Sequence, residues 1–266
     1  RKKKYMKHLV STNWLESNIE NVRVLDGSWH MPNMNRNALN EFLNNHIKNS
    51  NFFDLDQNSE QNSKIPHMLP SASNWEDSIS KLGINNSDHI IIYDNSNVLS
   101  ACRFWYNFLY FGHDPNLVSV LDGGLKKWLK EKRETTSNIK IFSKSSYKAK
   151  KAKQMVLNKN QINLNIEKNT FELIDARSKE RFEGSVPEPR TELKSGNIKG
   201  SKNLPFMQLI NENDNTFKSK VEIKSIFDRL NLDTKKEIAF TCGSGVTACI
   251  LALANSIISG KNPIIY

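Results

Sequence analysis

The chain repeats itself once. Val24-Leu25-Asp26, a short apolar run ending in aspartate, recurs as Leu173-Ile174-Asp175, and His89 to Asp94 (HIIIYD) recurs as Glu237 to Cys242 (EIAFTC). The spacing inside each copy is nearly equal, 68 residues from Asp26 to Asp94 and 67 from Asp175 to Cys242. A helical pattern follows in both copies, with Ser100-Ala101-Cys102 matched by Thr247-Ala248-Cys249 and with Gly112 and Gly260 placed as end caps. Short apolar strands alternating with helices imply parallel βαβ units whose sheets are covered on both faces. The expected fold class is therefore α/β, as two tandem domains, each a mainly parallel sheet flanked by helices. A chain of 266 residues, 38% of them apolar, has material for two such cores.

The repeat predicts a first domain over 8–145 and a second over 146–266, with the Lys-, Ser- and Thr-rich stretch from Glu134 to Asn158 as the linker. The first copy runs on from Leu117–Leu121 into Asp122-Gly123-Gly124 and a helix containing Trp128, whereas the second stops at Ile264-Ile265-Tyr266. A further turn and helix are thus expected beyond the last residue, so the C-terminal end reads as truncated. Residues 1–5, ahead of Met6, read as a leader remnant, an upstream extension or an artefact of expression.

A formal charge of +10 invites an anionic partner. The densest basic run, Lys144 to Lys153 (KSSYKAKKAK), comes without an aromatic-rich RNA-binding motif or paired Cys/His zinc spacing. It reads as a solvated linker, which argues against a nucleic-acid partner and leaves a general attraction for small anions. Cys102, Cys242 and Cys249 are scattered and form no disulfide framework, which points to a reducing compartment. No apolar run approaches the ~20 residues that span a bilayer, and RKKKYMKHLV has no adequate hydrophobic stretch after its basic residues. The expectation is a cytoplasmic protein, or one of the mitochondrial matrix, with no membrane partner, no cofactor and no metal.

The strongest chemical signal is Cys242-Gly243-Ser244-Gly245-Val246-Thr247-Ala248, set between a buried strand and an apolar helix. A lone cysteine after an apolar strand is ordinarily a small core residue. Here two glycines clear the side chains from a loop whose backbone N–H groups, from Gly243 to Thr247, can converge on one centre. The helix that follows adds the positive end of its dipole. A thiol held there reacts as thiolate, so Cys242 is a candidate nucleophile. Cys102 and Cys249 lie inside apolar helical patterns and read as core. A cysteine phosphatase would carry arginine six residues after the cysteine, and that position is Ala248, so the loop lacks the fixed cation a phosphate dianion needs.

The loop resembles that of the mercaptopyruvate sulfurtransferases in the rhodanese superfamily, whose thiosulfate-using relatives carry Arg and Lys after the cysteine. Other segments resemble the same family. In the first half these are Asp26-Gly27-Ser28-Trp29, Phe53-Asp54-Leu55-Asp56-Gln57, His67-Met68-Leu69-Pro70 and Leu121-Asp122-Gly123-Gly124. In the second they are Asp175-Ala176-Arg177, Arg181-Phe182, Pro187-Glu188-Pro189-Arg190 and Asn203-Leu204-Pro205. One departure is Gly196-Asn197-Ile198-Lys199-Gly200, where the family usually has Gly-His-Ile-Pro-Gly, a change of turn rigidity more than of chemistry.

The resemblance implies two rhodanese-like domains, of which only the second carries sulfur, since Asp94 stands at the position equivalent to Cys242. It implies transfer of sulfur from 3-mercaptopyruvate to Cys242 as a persulfide, release of pyruvate, and delivery to a small thiol, cyanide or a thioredoxin-like acceptor. Arg181 and Arg190 match the substrate-binding arginines, with Gly243, Gly245, Val246 and Thr247 as the substrate-binding positions of the loop. Ser244, His67 and Asp56 match a proton relay, with Asp54 as the rival carboxylate, and the active site is expected in a cleft between the domains. A thiosulfate:cyanide sulfurtransferase and a non-catalytic protein-binding module are the competing readings.

Overall fold

The computed structural model describes residues 8–191 and 193–266. Contacts separate two compact units: the described residues up to Ala152 together with Glu212–Thr216, and Lys153–Asn211 together with Phe217–Tyr266.

The first unit runs β1 (Leu9–Val10), α1 (Thr12–Asn18), β2 (Arg23–Asp26), α2 (Ala38–Asn44), β3 (His46–Ile47), β4 (Ser50–Phe52) and α3 (Ala72–Lys81). It continues with β5 (Ile90–Tyr93), α4 (Ala101–Tyr110), β6 (Val118–Leu121), α5 (Gly124–Lys130) and β7 (Thr135–Thr136). Its parallel sheet has the order β1-β6-β5-β2-β4, and β3 and β7 form a separate antiparallel ribbon. All residues of β5 and β6 are buried, as a parallel strand covered on both faces requires. Val24, Ile91 and Tyr93 face one core with Leu15, Leu125 and Trp128. On the other face Phe53, Trp75, Phe104, Phe108 and Phe111 form a run of ring contacts. Helix α4, buried at every residue, fills that side, and the position opposite its Phe104 is Gly27, where a Cβ would lie 2.5 Å from the ring.

The second unit runs α6 (Lys159–Lys168), β8 (Glu172–Asp175), α7 (Lys179–Glu183), β9 (Lys202–Asn203), α8 (Lys220–Asp228), β10 (Ile238–Thr241) and α9 (Ala248–Ser259). Its parallel sheet has the order β10-β8-β9, and single parallel bridges extend it past β10 to Ile265 and then Val156. The order Val156, Ile265, β10, β8, β9 therefore repeats β1, β6, β5, β2, β4. The backbone repeats it as well. Gly27 N donates to Tyr93 O and Phe53 N to Asp26 O, as Ala176 N donates to Thr241 O and Leu204 N to Asp175 O. Each aspartate then accepts from the amide two residues on, Asp26 from Ser28 and Asp175 from Arg177, both at 2.9 Å. The duplication seen in the sequence is a duplication of topology.

The boundary between the units falls seven residues beyond the expected cut near 145, at Ala152. The lysines of Lys144–Lys153 do face solvent, but the backbone of this stretch lies along the first unit. Ser145 N donates to Ser80 O at 3.0 Å, Lys150 N to Phe111 O at 2.9 Å and Ala152 N to Tyr110 O at 2.7 Å. Tyr147 is buried, stacks on His113, and its hydroxyl lies 2.9 Å from His113 Nδ1. Gly83 and Gly112, both at positive φ, permit the close approach: a Cβ at Gly83 would lie 2.3 Å from Ser143 O, and one at Gly112 2.8 Å from Lys150 O. Tyr147→Ala is expected to destabilise the first unit by about 3 kcal/mol, as other buried aromatic truncations do. It should also release the strap, so that trypsin cuts at Lys144–Lys151 faster than in the wild type. Equal cleavage rates would show that Tyr147 does not anchor it.

Candidate active site

Strand β10 delivers Cys242 to the carboxyl edge of its sheet, where the chain turns into α9. Ligands of open parallel sheets bind at this edge. The amide of Gly245 donates to Cys242 Sγ at 3.1 Å. Gly245 has a φ of +75°, the left-handed region that favours glycine, and this turn aims its N–H back at the sulfur. Thr247 stands at the N-cap position of α9, a helix of 12 residues whose N-terminus follows the loop, so a negative charge on sulfur meets the positive end of its dipole. Cys242 is half-buried, whereas Cys102 and Cys249 are fully buried, and Cys249 donates its S–H to Gly245 O at 3.1 Å. The structure thus gives the loop one accessible sulfur, with the second cysteine bracing it from behind. Val246 is buried under the loop, and Ser244 is half-buried within it.

Arg181 reaches the loop from α7. A Cβ built on Gly243 would lie 3.2 Å from Arg181 Nη2, so the guanidinium rests against the backbone beside the cysteine. It does not stand alone. Glu188 Oε2 accepts from Arg181 Nη2 at 2.5 Å and Oε1 from Arg181 Nε at 3.2 Å, while Oε1 also accepts from Arg177 Nη1 at 2.9 Å. Arg177 in turn forks onto Asp175 and donates to Gly196 O. Burial alone would push the Glu188 carboxyl up, but the hydrogen bond and charge of Arg181, reinforced by Arg177, hold it below the ordinary glutamate value. Arg190 is half-buried on the bend that follows, and no carboxylate pairs with it among the described residues. The expected arginines are therefore unlike: Arg181 is clamped by a carboxylate, and Arg190 has no carboxylate partner among the described residues. Glu188 and Arg177 were legible only as family-like segments, with no role attached.

In the first unit, His67 Nε2 lies 2.9 Å from Asp56 Oδ1, and Trp29 Nε1 donates to the other Asp56 oxygen at 3.3 Å. The imidazole is buried against the edge of Trp29, and the Asp56 side chain is 66% exposed. Asp54, the rival carboxylate, instead accepts from Gln57 N at 2.8 Å in its own turn. His67 adopts a φ of +60°, and its carbonyl accepts from Arg103, a buried arginine that also donates to Asn107 at 2.8 Å. Sequence reading missed Arg103, whose only signal was a cation inside an apolar helix.

The first unit also shows what replaces the cysteine. Asp94 accepts from Ser96 N at 3.0 Å on Oδ1 and from Ala101 N at 2.9 Å on Oδ2, so a carboxylate occupies the turn into α4. Burial pushes its carboxyl up to about 6, against these amides, which favour the charged form. Among the described residues no group of three or more His, Cys, Asp or Glu is placed to hold a metal ion, and no helix is long and apolar enough to cross a membrane.

The rhodanese-like domain is matched twice, over residues 36–131 and 158–266. The chain is 38% identical over 268 residues to thiosulfate/3-mercaptopyruvate sulfurtransferase 1, mitochondrial, of Arabidopsis thaliana, covering 92% of this chain and 70% of that protein. It is 37% identical over 267 residues to thiosulfate sulfurtransferase of Bos taurus, covering 97% and 89%. Among solved structures, SseA from Escherichia coli, a 3-mercaptopyruvate sulfotransferase, superposes with a TM-score of 0.88 at 31% identity over 98% of this chain and 97% of that one. The chain belongs to the rhodanese family and contains two rhodanese-like domains.

Placing a Cβ on Gly245 tests the loop directly. An L-residue held at left-handed φ costs about 1–2 kcal/mol, which the loop relieves by turning its amide away from sulfur. Gly245→Ala should therefore slow alkylation of Cys242 by iodoacetamide while the protein still melts cooperatively. An unchanged alkylation rate would remove the amide from the account of Cys242 reactivity.

Proposed function

We propose that this protein is a 3-mercaptopyruvate sulfurtransferase that carries sulfur on Cys242. The observation behind this reading is the half-buried Cys242, whose sulfur accepts from the Gly245 amide, with Arg181 held against the same loop. The thiolate attacks the substrate sulfur, an S–S bond forms, and the C–S bond breaks with its electron pair passing into the enolate of pyruvate. A proton delivered to that carbon gives pyruvate. The outer sulfur then leaves to a small thiol, cyanide or a thioredoxin-like protein, which regenerates Cys242. In this reading Arg190 and Arg181 bind the substrate carboxylate and keto oxygen, and arginine suits both by its planar fork. Gly243, Gly245, Val246 and Thr247 supply the loop backbone. His67 with Asp56, and Ser244 in the loop, supply the proton transfer, a role typically worth about 10²–10⁴-fold in rate.

The relatives are named for both donors, so likeness alone does not choose between them. Loop composition does. Gly243-Ser244-Gly245 carries no charge, and thiosulfate is a compact dianion that calls for cations beside the sulfur. The three free cysteines suit a reducing compartment, the cytoplasm or the mitochondrial matrix.

Intact-protein mass spectrometry after treatment with 3-mercaptopyruvate should show one added sulfur that cyanide removes and that is lost in Cys242→Ser. Loading that maps to Cys102 or Cys249 would sink the reading, and a wild type that prefers thiosulfate would move it to the thiosulfate enzymes. Arg190→Ala should lower kcat/KM for mercaptopyruvate by the equivalent of about 2–5 kcal/mol, the usual effect of orphaning a desolvated charge. Its Cys242 should still alkylate at the normal rate with a neutral reagent. Unchanged kcat/KM would exclude Arg190 as a ligand.

A further inference from the structure

Glu188 is 8% exposed, and its side chain only 2%, yet it caps no helix and joins no strand. Prolines flank it at 187 and 189 and fix the backbone on both sides. Its two oxygens are spent on two guanidinium groups, and the second of these, Arg177, is also forked onto Asp175. Within this cluster two cations meet two carboxylates, so the charges cancel. What remains of Arg181 is geometry: Nε and Nη2 are bonded to Glu188, and Nη2 is also the nitrogen that lies beside Gly243, so the fork on Glu188 sets where the guanidinium meets the loop.

We propose that Glu188 is a positioning residue that also selects the sulfur donor: by clamping Arg181 against Gly243 and cancelling its charge, it fits the site to a singly charged carboxylate rather than to a dianion. The inference rests on Cys242 and Arg181 being the donor site. Its physical basis is that Coulomb energy scales with the product of the charges, so uncovering one positive charge favours a dianion twice as much as a monoanion at the same distance. A planar carboxylate is recognised by the direction of donors as well as by charge, and gains from a guanidinium that cannot swing.

The test is made on the whole chain with Glu188→Gln and Glu188→Asp, measuring kcat/KM for thiosulfate and for 3-mercaptopyruvate. Glu188→Gln keeps the size and removes the charge, and it should raise the thiosulfate-to-mercaptopyruvate ratio about tenfold, with most of the change in KM. Glu188→Asp keeps the charge, and should lower turnover of both donors with the ratio held within about twofold. A purely structural glutamate predicts otherwise. If Glu188→Gln lowers both donors by the same factor, or if Glu188→Asp moves the ratio as far as Glu188→Gln, the proposal is overturned. A measurement on the wild type can overturn it even where a variant fails to fold. Pyruvate should protect Cys242 from iodoacetamide better than sulfate does at equal ionic strength, and stronger protection by sulfate overturns the proposal. Because protection needs no turnover, it reads the anion site even if mercaptopyruvate fails to load Cys242, an outcome that would count against the proposed function alone.

Discussion

The convergence of Arg177 and Arg181 on Glu188 ties together parts of the second unit that no strand pairing joins. Through it the end of β8, the short helix α7, the Pro187–Pro189 segment and the Gly196 turn are held on one carboxylate. A buried ion cluster is a poor source of net stability, because desolvation offsets most of the attraction. Its value lies in what it forbids. Any rearrangement that unpairs Glu188 leaves a charge in a dry place, so the segment has one acceptable arrangement, and that arrangement places a guanidinium beside the reactive loop.

The two units carry out a comparison within one chain. Both end a strand on an aspartate that turns the chain, both pass through the same backbone bonds, and both send a loop into a buried helix. They differ at the residue on that loop, Asp94 in one and Cys242 in the other. The frame is therefore indifferent to chemistry, and function is decided by single positions mounted on it.

The sequence was informative where local chemistry and periodicity agree. The repeat, the helix starting at Ala248, the core placement of Cys102 and Cys249, and the loop around Cys242 could all be read from spacing and residue type. The choice of Asp56 over Asp54 rested on the family resemblance alone, since it turns on which carboxylate the loop folds toward His67 and which one it spends on Gln57. Glu188 was hidden for a similar reason. A glutamate between prolines reads as exposed, and only the tertiary fold brings Arg177 and Arg181 onto it. The lysine run misled in part, because its side chains are solvated as their charge suggests, while the backbone beneath them is bound to the first unit by hydrogen bonds that no pattern of residue types encodes.

The aspartate at 94 has a further meaning when its length is considered. Beyond Cβ it extends by two atoms, Cγ and then an oxygen, and each terminal oxygen is met by a backbone amide of its turn. A cysteine extends by one atom, and a persulfide by two. The side chain at 94 therefore has the length that a persulfide would have at 242, and its oxygens sit against amides at the start of a helix. The empty cysteine leaves part of that reach unused. Where the first unit meets its longer side chain with two amides, at Ser96 and Ala101, the second meets the shorter cysteine with one, at Gly245.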